Sequence, residues 1–229
     1  TSPRRTPSSL IDIPIPHERM PVQKGKDLAY IRSPADEVGY VFYVDPGPEP
    51  GMSVAYWGPE IKVGEPQKAL SINMDAASNI ESVSCSFNSQ GAVIPIVYIQ
   101  NQQTHVPIPI PIPDISPLNP PLGLVPPIPL NFEPIPETAN YSPIRAAVLG
   151  LTKAAKGAEA VTATGSLNVI RYGAVLKARR LVGLRGVGEA FDGLYYVKSV
   201  TSTIKRGEFK QSFTLTRNGL ISTFSKVPA

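Results

Sequence analysis

Residues 165–217 read GSLNVIRYGAVLKARRLVGLRGVGEAFDGLYYVKSVTSTIKRGEFKQSFTLTR, successive strands closing in a hairpin with almost no reactive side chain among them. From Phe209 to Thr216 the alternation has a period of two. Phe209, Gln211, Phe213 and Leu215 point one way, and Lys210, Ser212, Thr214 and Thr216 the other. The pattern predicts a strand with one buried and one wet face. The run from Leu194 to Ile204 before it is rich in Tyr, Val, Thr and Ile. Between the two lies Lys205-Arg206-Gly207-Glu208, whose glycine can take positive φ, so the pair reads as a β-hairpin. The stretch is a scaffold rather than a catalytic centre.

Further strands are expected at Tyr40–Val44, Val54–Trp57, Lys68–Met74, Ile80–Phe87 and Ala92–Gln100, with polar turns between the later three, and at least four follow Val161. Such spacing suits a meander in a barrel or sandwich. Two helices are predicted. Lys26–Val38 opens at Lys26-Asp27 and stops at Gly39, with Pro34 expected to end or kink it at Ser33. The second opens at Tyr141-Ser142-Pro143, with Ser142 as N-cap and Pro143 at N1, presents Ile144, Val148, Leu149 and Leu151, and ends at Gly157. Trp57, beside Gly58-Pro59, is expected to anchor a loop on the core. The fold class is mainly β with two short helices, an α+β chain.

At 229 residues and 42% hydrophobic composition the chain can bury a core in one large or two smaller domains. Of its 26 prolines, 12 lie between Pro107 and Pro136. Alternate prolines from Pro107 to Pro113 remove alternate backbone donors, which predicts a polyproline-like segment outside any sheet and dispensable for folding. Its interleaved Ile, Leu and Val are too apolar for a disordered linker, so the segment is expected in a groove of its own or a neighbouring subunit. The alternative is a ligand for an aromatic-lined proline-binding module. No apolar run is long enough to span a bilayer and no signal-peptide pattern opens the chain, so the reading is of a soluble protein. The single Cys85 shares a strand face with Val83 and Phe87 and reads as a small buried hydrophobe.

The order RYG, KARRLVGLRGVGEAFDGLYYV and RGEFKQSFTLTRNGL resembles the C-terminal end of the late control D family, the baseplate hub proteins of contractile phage tails and related injection particles. Upstream, PVQKGKDLAYI and DEVGYVFYVDPGPEPGMSVAYWGP resemble the same family's passage from a short helix into a strand and turn. The resemblance covers roughly residues 21–100 and 140–225; Pro34 and the proline-rich segment depart from it. It implies a tail-tube-like antiparallel β-barrel with a small α/β connector, and a chain that is the C-terminal portion of a longer product. Residues 1–24 become an extended linker, 25–58 a helix-strand connector module, and 59–225 the tube-like domain interrupted by the Pro-rich extended segment 107–136.

Residues 1–143 hold 8 Lys/Arg against 14 Asp/Glu, and residues 144–229 hold 14 against 4. The basic residues of the second part are scattered over strands and turns without a basic helix or an aromatic platform, so solvated faces and subunit interfaces are favoured over nucleic acid. An electrostatic seam with an acidic partner ring is the structural form of that reading. Arg179, Arg180, Arg185 and Lys210 are the candidate subunit or tube interface.

No residue set suggests catalysis, a metal or a cofactor. His17 and His105 sit in proline-flanked segments without partners at ligand spacing, and no nucleophile elbow occurs. Gly183 to Gly188 lacks a P-loop lysine and reads as a turn, as does Asp192-Gly193. Glu60 and Glu65 lie in Gly/Pro-rich loops, a poor platform for a glycosidase pair.

The resemblance implies a non-enzymatic hub subunit: a homotrimer adapting the hexameric tail tube to the trimeric spike protein, located in the virion tail or injection-particle baseplate, assembled in the bacterial cytoplasm without a membrane anchor. A second reading is a nucleic-acid-binding β-barrel using the basic C-terminal half, and a third is a secreted carbohydrate-active or adhesion β-sandwich.

Overall fold

The computed structural model describes residues 4–5, 23, 25–100, 106–112, 120–129, 131–136 and 143–224. The expectations for His17, His105 and the Ser142 cap fall outside these residues. In chain order the elements are β1 (Arg4–Arg5), α1 (Asp27–Glu37), β2 (Tyr40–Pro46), β3 (Ser53–Pro59), β4 (Gln67–Ser71), a 3-10 turn (Asp75–Ala77), β5 (Ile80–Phe87), β6 (Val93–Gln100), β7 (Pro107–Pro111), β8 (Gly123–Val125), β9 (Asn131–Pro134), α2 (Pro143–Gly157), β10 (Val161–Asn168), α3 (Val169–Tyr172), β11 (Leu181–Arg185), β12 (Gly193–Lys205), β13 (Glu208–Arg217) and β14 (Leu220–Ser222). The chain is thus mainly β, as its patterning predicts, with one short helix, α3, that the sequence reading lacks. Asn168 caps α3 by accepting from the Ile170 N–H, and Gly173 ends it at φ 77°.

The chain divides into two compact units, residues 1–60 with 94–115 and 132–156, and residues 61–93 with 116–131 and 157–229. The chain passes repeatedly between the units because β6, β7 and β9 form a sheet of their own.

In the first unit, α1 continues through Pro34 to Glu37, four residues past the expected stop at Ser33. A proline in a final helical turn forfeits one hydrogen bond, and the buried Ala35 beside it anchors that turn. Gly39, at φ 71°, ends the helix as expected. Trp57 lies within β3 rather than in a loop. It meets Tyr40 edge-on at 4.8 Å, and its Nε1 donates to the Ile31 carbonyl of α1 at 3.4 Å.

The proline segment corrects the expectation that it runs outside any sheet. Pro107–Pro111 pairs antiparallel with β6, in the order β7-β6-β9. Ile112 N donates to the Pro95 carbonyl, so Ile110 and Ile108 are the next residues whose N–H groups face β6. Pro107, Pro109 and Pro111 occupy the intervening positions, where the missing N–H faces away from the sheet. Alternate prolines therefore lose only outward donors, which an edge strand does not need. Over this sheet, α2 buries Ala146, Gly150 and Ala154; of the larger residues expected, Leu149 packs against the Val97, Ile135 and Ala146 cluster while Ile144 is exposed. A Cβ on Gly150 would come within 2.6 Å of Ile112, so the close approach demands glycine.

In the second unit a six-stranded sheet of order β4-β11-β12-β13-β10-β5 curls into a half-barrel. Its pairs are antiparallel except β4 with β11, which is parallel, a departure from the all-antiparallel expectation. The hairpin closes at Lys205↔Glu208, leaving Arg206-Gly207 as the turn with Gly207 at φ 80°. Gln211, Phe213 and Leu215 are buried as predicted, and Val83, Cys85 and Phe87 pack against the same core. Thr216 is buried instead of wet. It lies opposite Tyr196, on the face where Leu122 of the proline segment covers Leu181, Leu194 and Tyr196. The segment gives this end of the sheet its second buried layer.

Candidate functional site

Between α3 and β11 the chain has no regular structure, yet two amide side chains bind it as a strand would. Gln67 in β4 donates to the Lys177 carbonyl and accepts from the Lys177 N–H, both at 2.9 Å. Gln211 in β13 accepts from the Leu176 N–H at 2.9 Å and donates to its carbonyl at 3.1 Å. Each side chain imitates one β-bridge, and together they fix loop 173–180 on the sheet. The Tyr172 hydroxyl adds a bond to the Lys68 carbonyl, and burial pushes its pKa up to about 12.

The turn after β11 closes on Asp192, whose carboxylate accepts from the Val187 and Gly188 N–H groups at 2.8 and 3.2 Å. This arrangement assigns Asp192 to loop closure, the turn role read from Asp192-Gly193. Beneath it lies Arg217, which sequence reasoning counted only among scattered cations. Its guanidinium donates to the carbonyls of Gly219, Asp192 and Ala190 at 2.7, 3.0 and 2.8 Å, and stands 4.6 Å from the Tyr195 ring centroid. Cys85 is near this group, but burial raises its thiol pKa, the reverse of what a reactive thiolate requires.

Glu159 takes Lys62 at 2.6 Å and Lys198 at 2.7 Å. Burial alone would raise its pKa, but the two ammonium groups outweigh it and hold the carboxyl below its ordinary value. Lys62 also lies 5.3 Å from the Tyr196 ring, so this charge cluster sits on the second buried face of the sheet.

The two edges of the half-barrel differ. At β4 the Asn79 side chain accepts from Ser71 N and donates to the Ala69 carbonyl, both at 2.8 Å, while its own N–H donates to the Ser71 carbonyl. That edge is sealed. At β5 the Asn88 N–H donates to the Ala160 carbonyl, which by alternation makes Ser82, Ser84 and Ser86 the residues bonded to β10. The backbone groups of Val83, Cys85 and Phe87 face outward, and none of the hydrogen bonds among the described residues engages them.

The four predicted interface residues do not form one site. Arg180 is exposed; Arg179 is half-buried at φ 62°, its N–H bonded to the Val197 carbonyl; Arg185 is half-buried at the end of β11. Lys210 lies apart, already paired with Glu81 at 3.2 Å and Glu208 at 3.0 Å. Among the described residues no three His, Cys, Asp or Glu gather at metal-binding distance, and no helix is long and apolar enough to cross a membrane.

This fold is shared with solved phage tail proteins. The tail protein of Neisseria meningitidis MC58 superposes with a TM-score of 0.57 at 13% identity, over 88% of this chain and 58% of that one. The 43 kDa tail protein of prophage MuSo2 from Shewanella oneidensis superposes with a TM-score of 0.54 at 13% identity, over 91% of this chain and 57% of that one. The chain therefore spans somewhat over half the length of each. No family model matches the sequence, and no curated protein matches it.

Proposed function

We propose that this chain is a structural component of a phage-type tail, the C-terminal portion of a baseplate hub subunit that adapts a hexameric tube to a trimeric spike. The observation that carries the reading is a fold shared over about nine-tenths of the chain with two tail proteins, together with a half-barrel sheet sealed at β4 and, among the described residues, open at β5. An open edge with outward donors and acceptors is a hazard in a monomer and an asset in a ring, where a neighbouring subunit covers it. The chemistry is that of a scaffold: amide clamps, a buried arginine on backbone carbonyls and turn-closing carboxylates. In this reading the 61–93, 116–131 and 157–229 unit is the tube-like domain, and the protein works by matching symmetries rather than by catalysis.

Light scattering on the complete gene product, alone and with spike protein from the same gene cluster, tests the proposal. A trimer is expected; a monomer at micromolar concentration that ignores the spike protein overturns it.

A further inference from the structure

The clamped loop gathers a charged surface that the sequence disperses. Gln67 holds Lys177 across 110 positions, and the Tyr172 hydroxyl reaches the Lys68 carbonyl across 104, so Lys68, Arg171 and Lys177 emerge around the start of β4. Lys68 Nζ stands 5.8 Å from the Tyr172 ring centroid, and Arg180 follows at the end of the same loop. All four cations are exposed, and among the described residues none of them forms an ion pair. By contrast Lys62, Lys153, Lys156, Lys198 and Lys210 each have a carboxylate within 3.8 Å. Glu65, just before β4, is exposed and takes no ion-pair partner among the described residues.

Like charges held on a fixed backbone repel one another, and an external anion relieves that repulsion. Two exposed aliphatic side chains stand in the same loop region, Ile170 at 77% and Val175 at 49% exposure. Aliphatic contacts rimmed by cations suit a protein interface. A single-stranded nucleic-acid track would instead offer exposed aromatic platforms, and the aromatic residue here, Tyr172, is 1% exposed with its hydroxyl engaged; duplex DNA, bound through its phosphates alone, is an arm of the test. We infer that Lys68, Arg171, Lys177 and Arg180, with Ile170 and Val175, dock an acidic protein surface that has an apolar centre. The inference rests on the tail reading only for the source of that surface, an adjoining ring of the assembly.

The test measures binding of three probes to the intact chain by fluorescence anisotropy: poly-L-glutamate, a glutamate-rich peptide interspersed with leucine, and a short duplex DNA. Both peptides should bind in a salt-sensitive manner, with the leucine-bearing one tighter. The double reversals K68E/K177E and R171E/R180E should weaken peptide binding by about tenfold or more. Lys210→Glu should leave it nearly unchanged, because Lys210 already has its carboxylates. Replacing Ile170 and Val175 with serine should erase the advantage of the leucine peptide alone. Equal loss in the Lys210 variant, no advantage from leucine, or tighter binding of DNA than of either peptide overturns the inference. Light scattering of the same variants separates it from the hub reading: intact trimers with peptide binding that ignores this map sink the docking surface alone, and monomers whose peptide binding follows the map sink the hub alone.

Discussion

Three backbone carbonyls converge on the Arg217 guanidinium, 2% exposed and, among the described residues, without a carboxylate hydrogen-bonded to it. A planar fork reaches carbonyls in three directions, which a lysine ammonium on its flexible stem does not. Arg217→Lys should therefore cost nearly as much as Arg217→Met, about 3 kcal/mol or more, since both strand buried acceptors; urea midpoints of the two variants check this. Phe213, 3% exposed, packs its ring against Gly165, where an added Cβ would lie 2.6 Å from the ring tip. Phe213→Ala should cost about 3–5 kcal/mol, and the half-buried Thr214→Ala much less. Greater sensitivity at Thr214 would overturn the face assignment of β13. Thr216 carries a buried hydroxyl without a hydrogen-bond partner among the described residues. Thr216→Val keeps the shape and removes the unpaired group, so it should add up to about 1 kcal/mol of stability, read as a higher denaturation midpoint.

At the scale of elements, polar side chains replace missing strands. Gln211 substitutes for a β-bridge to loop 173–180, so Gln211→Ala should collapse hydrogen-exchange protection at the Leu176 amide while β10 amides keep theirs; unchanged protection at Leu176 would show that the clamp is dispensable. Glu159 ties Lys62 to Lys198 in β12 and has a lowered folded-state pKa. Its contribution is then present above the unfolded carboxyl pKa of about 4.3 and is lost as pH falls through the folded value. Denaturant midpoints of the wild type should accordingly decline more steeply on acidification than those of Glu159→Gln, and parallel declines would remove Glu159 from the acid response.

For the whole molecule, the proline segment contributes structure to each of the two compact units. Its residues supply both neighbours of β6 and the Leu122 cover over Tyr196, and Asn218 Oδ1 accepts from the Leu122 and Gly123 N–H groups at 2.9 and 3.1 Å. Excising residues 108–134 behind a short Gly-Ser bridge should abolish the cooperative melt, the opposite of the dispensability that its composition suggests. A melt like that of the intact chain would return the segment to the role of an accessory strap.

Local order determined the hairpin, the β5 alternation, the stop at Gly39 and the span of α2, because each depends on side-chain period or on a residue with restricted backbone freedom. Those signals need no knowledge of distant chain. Composition also revealed that residues 144–229 are basic, but not that Lys68 joins the cations of 171–180, since that depends on two glutamines whose amides could bond anywhere. The proline strand was illegible for a related reason: its outward-facing nitrogens are harmless only once β6 lies on the other side. Thr216 became a buried residue only when Leu122 covered the second face of the sheet. Such features were decided by the tertiary structure because hydrogen-bond satisfaction and burial belong to pairs of surfaces, and the partner surface is far away in sequence.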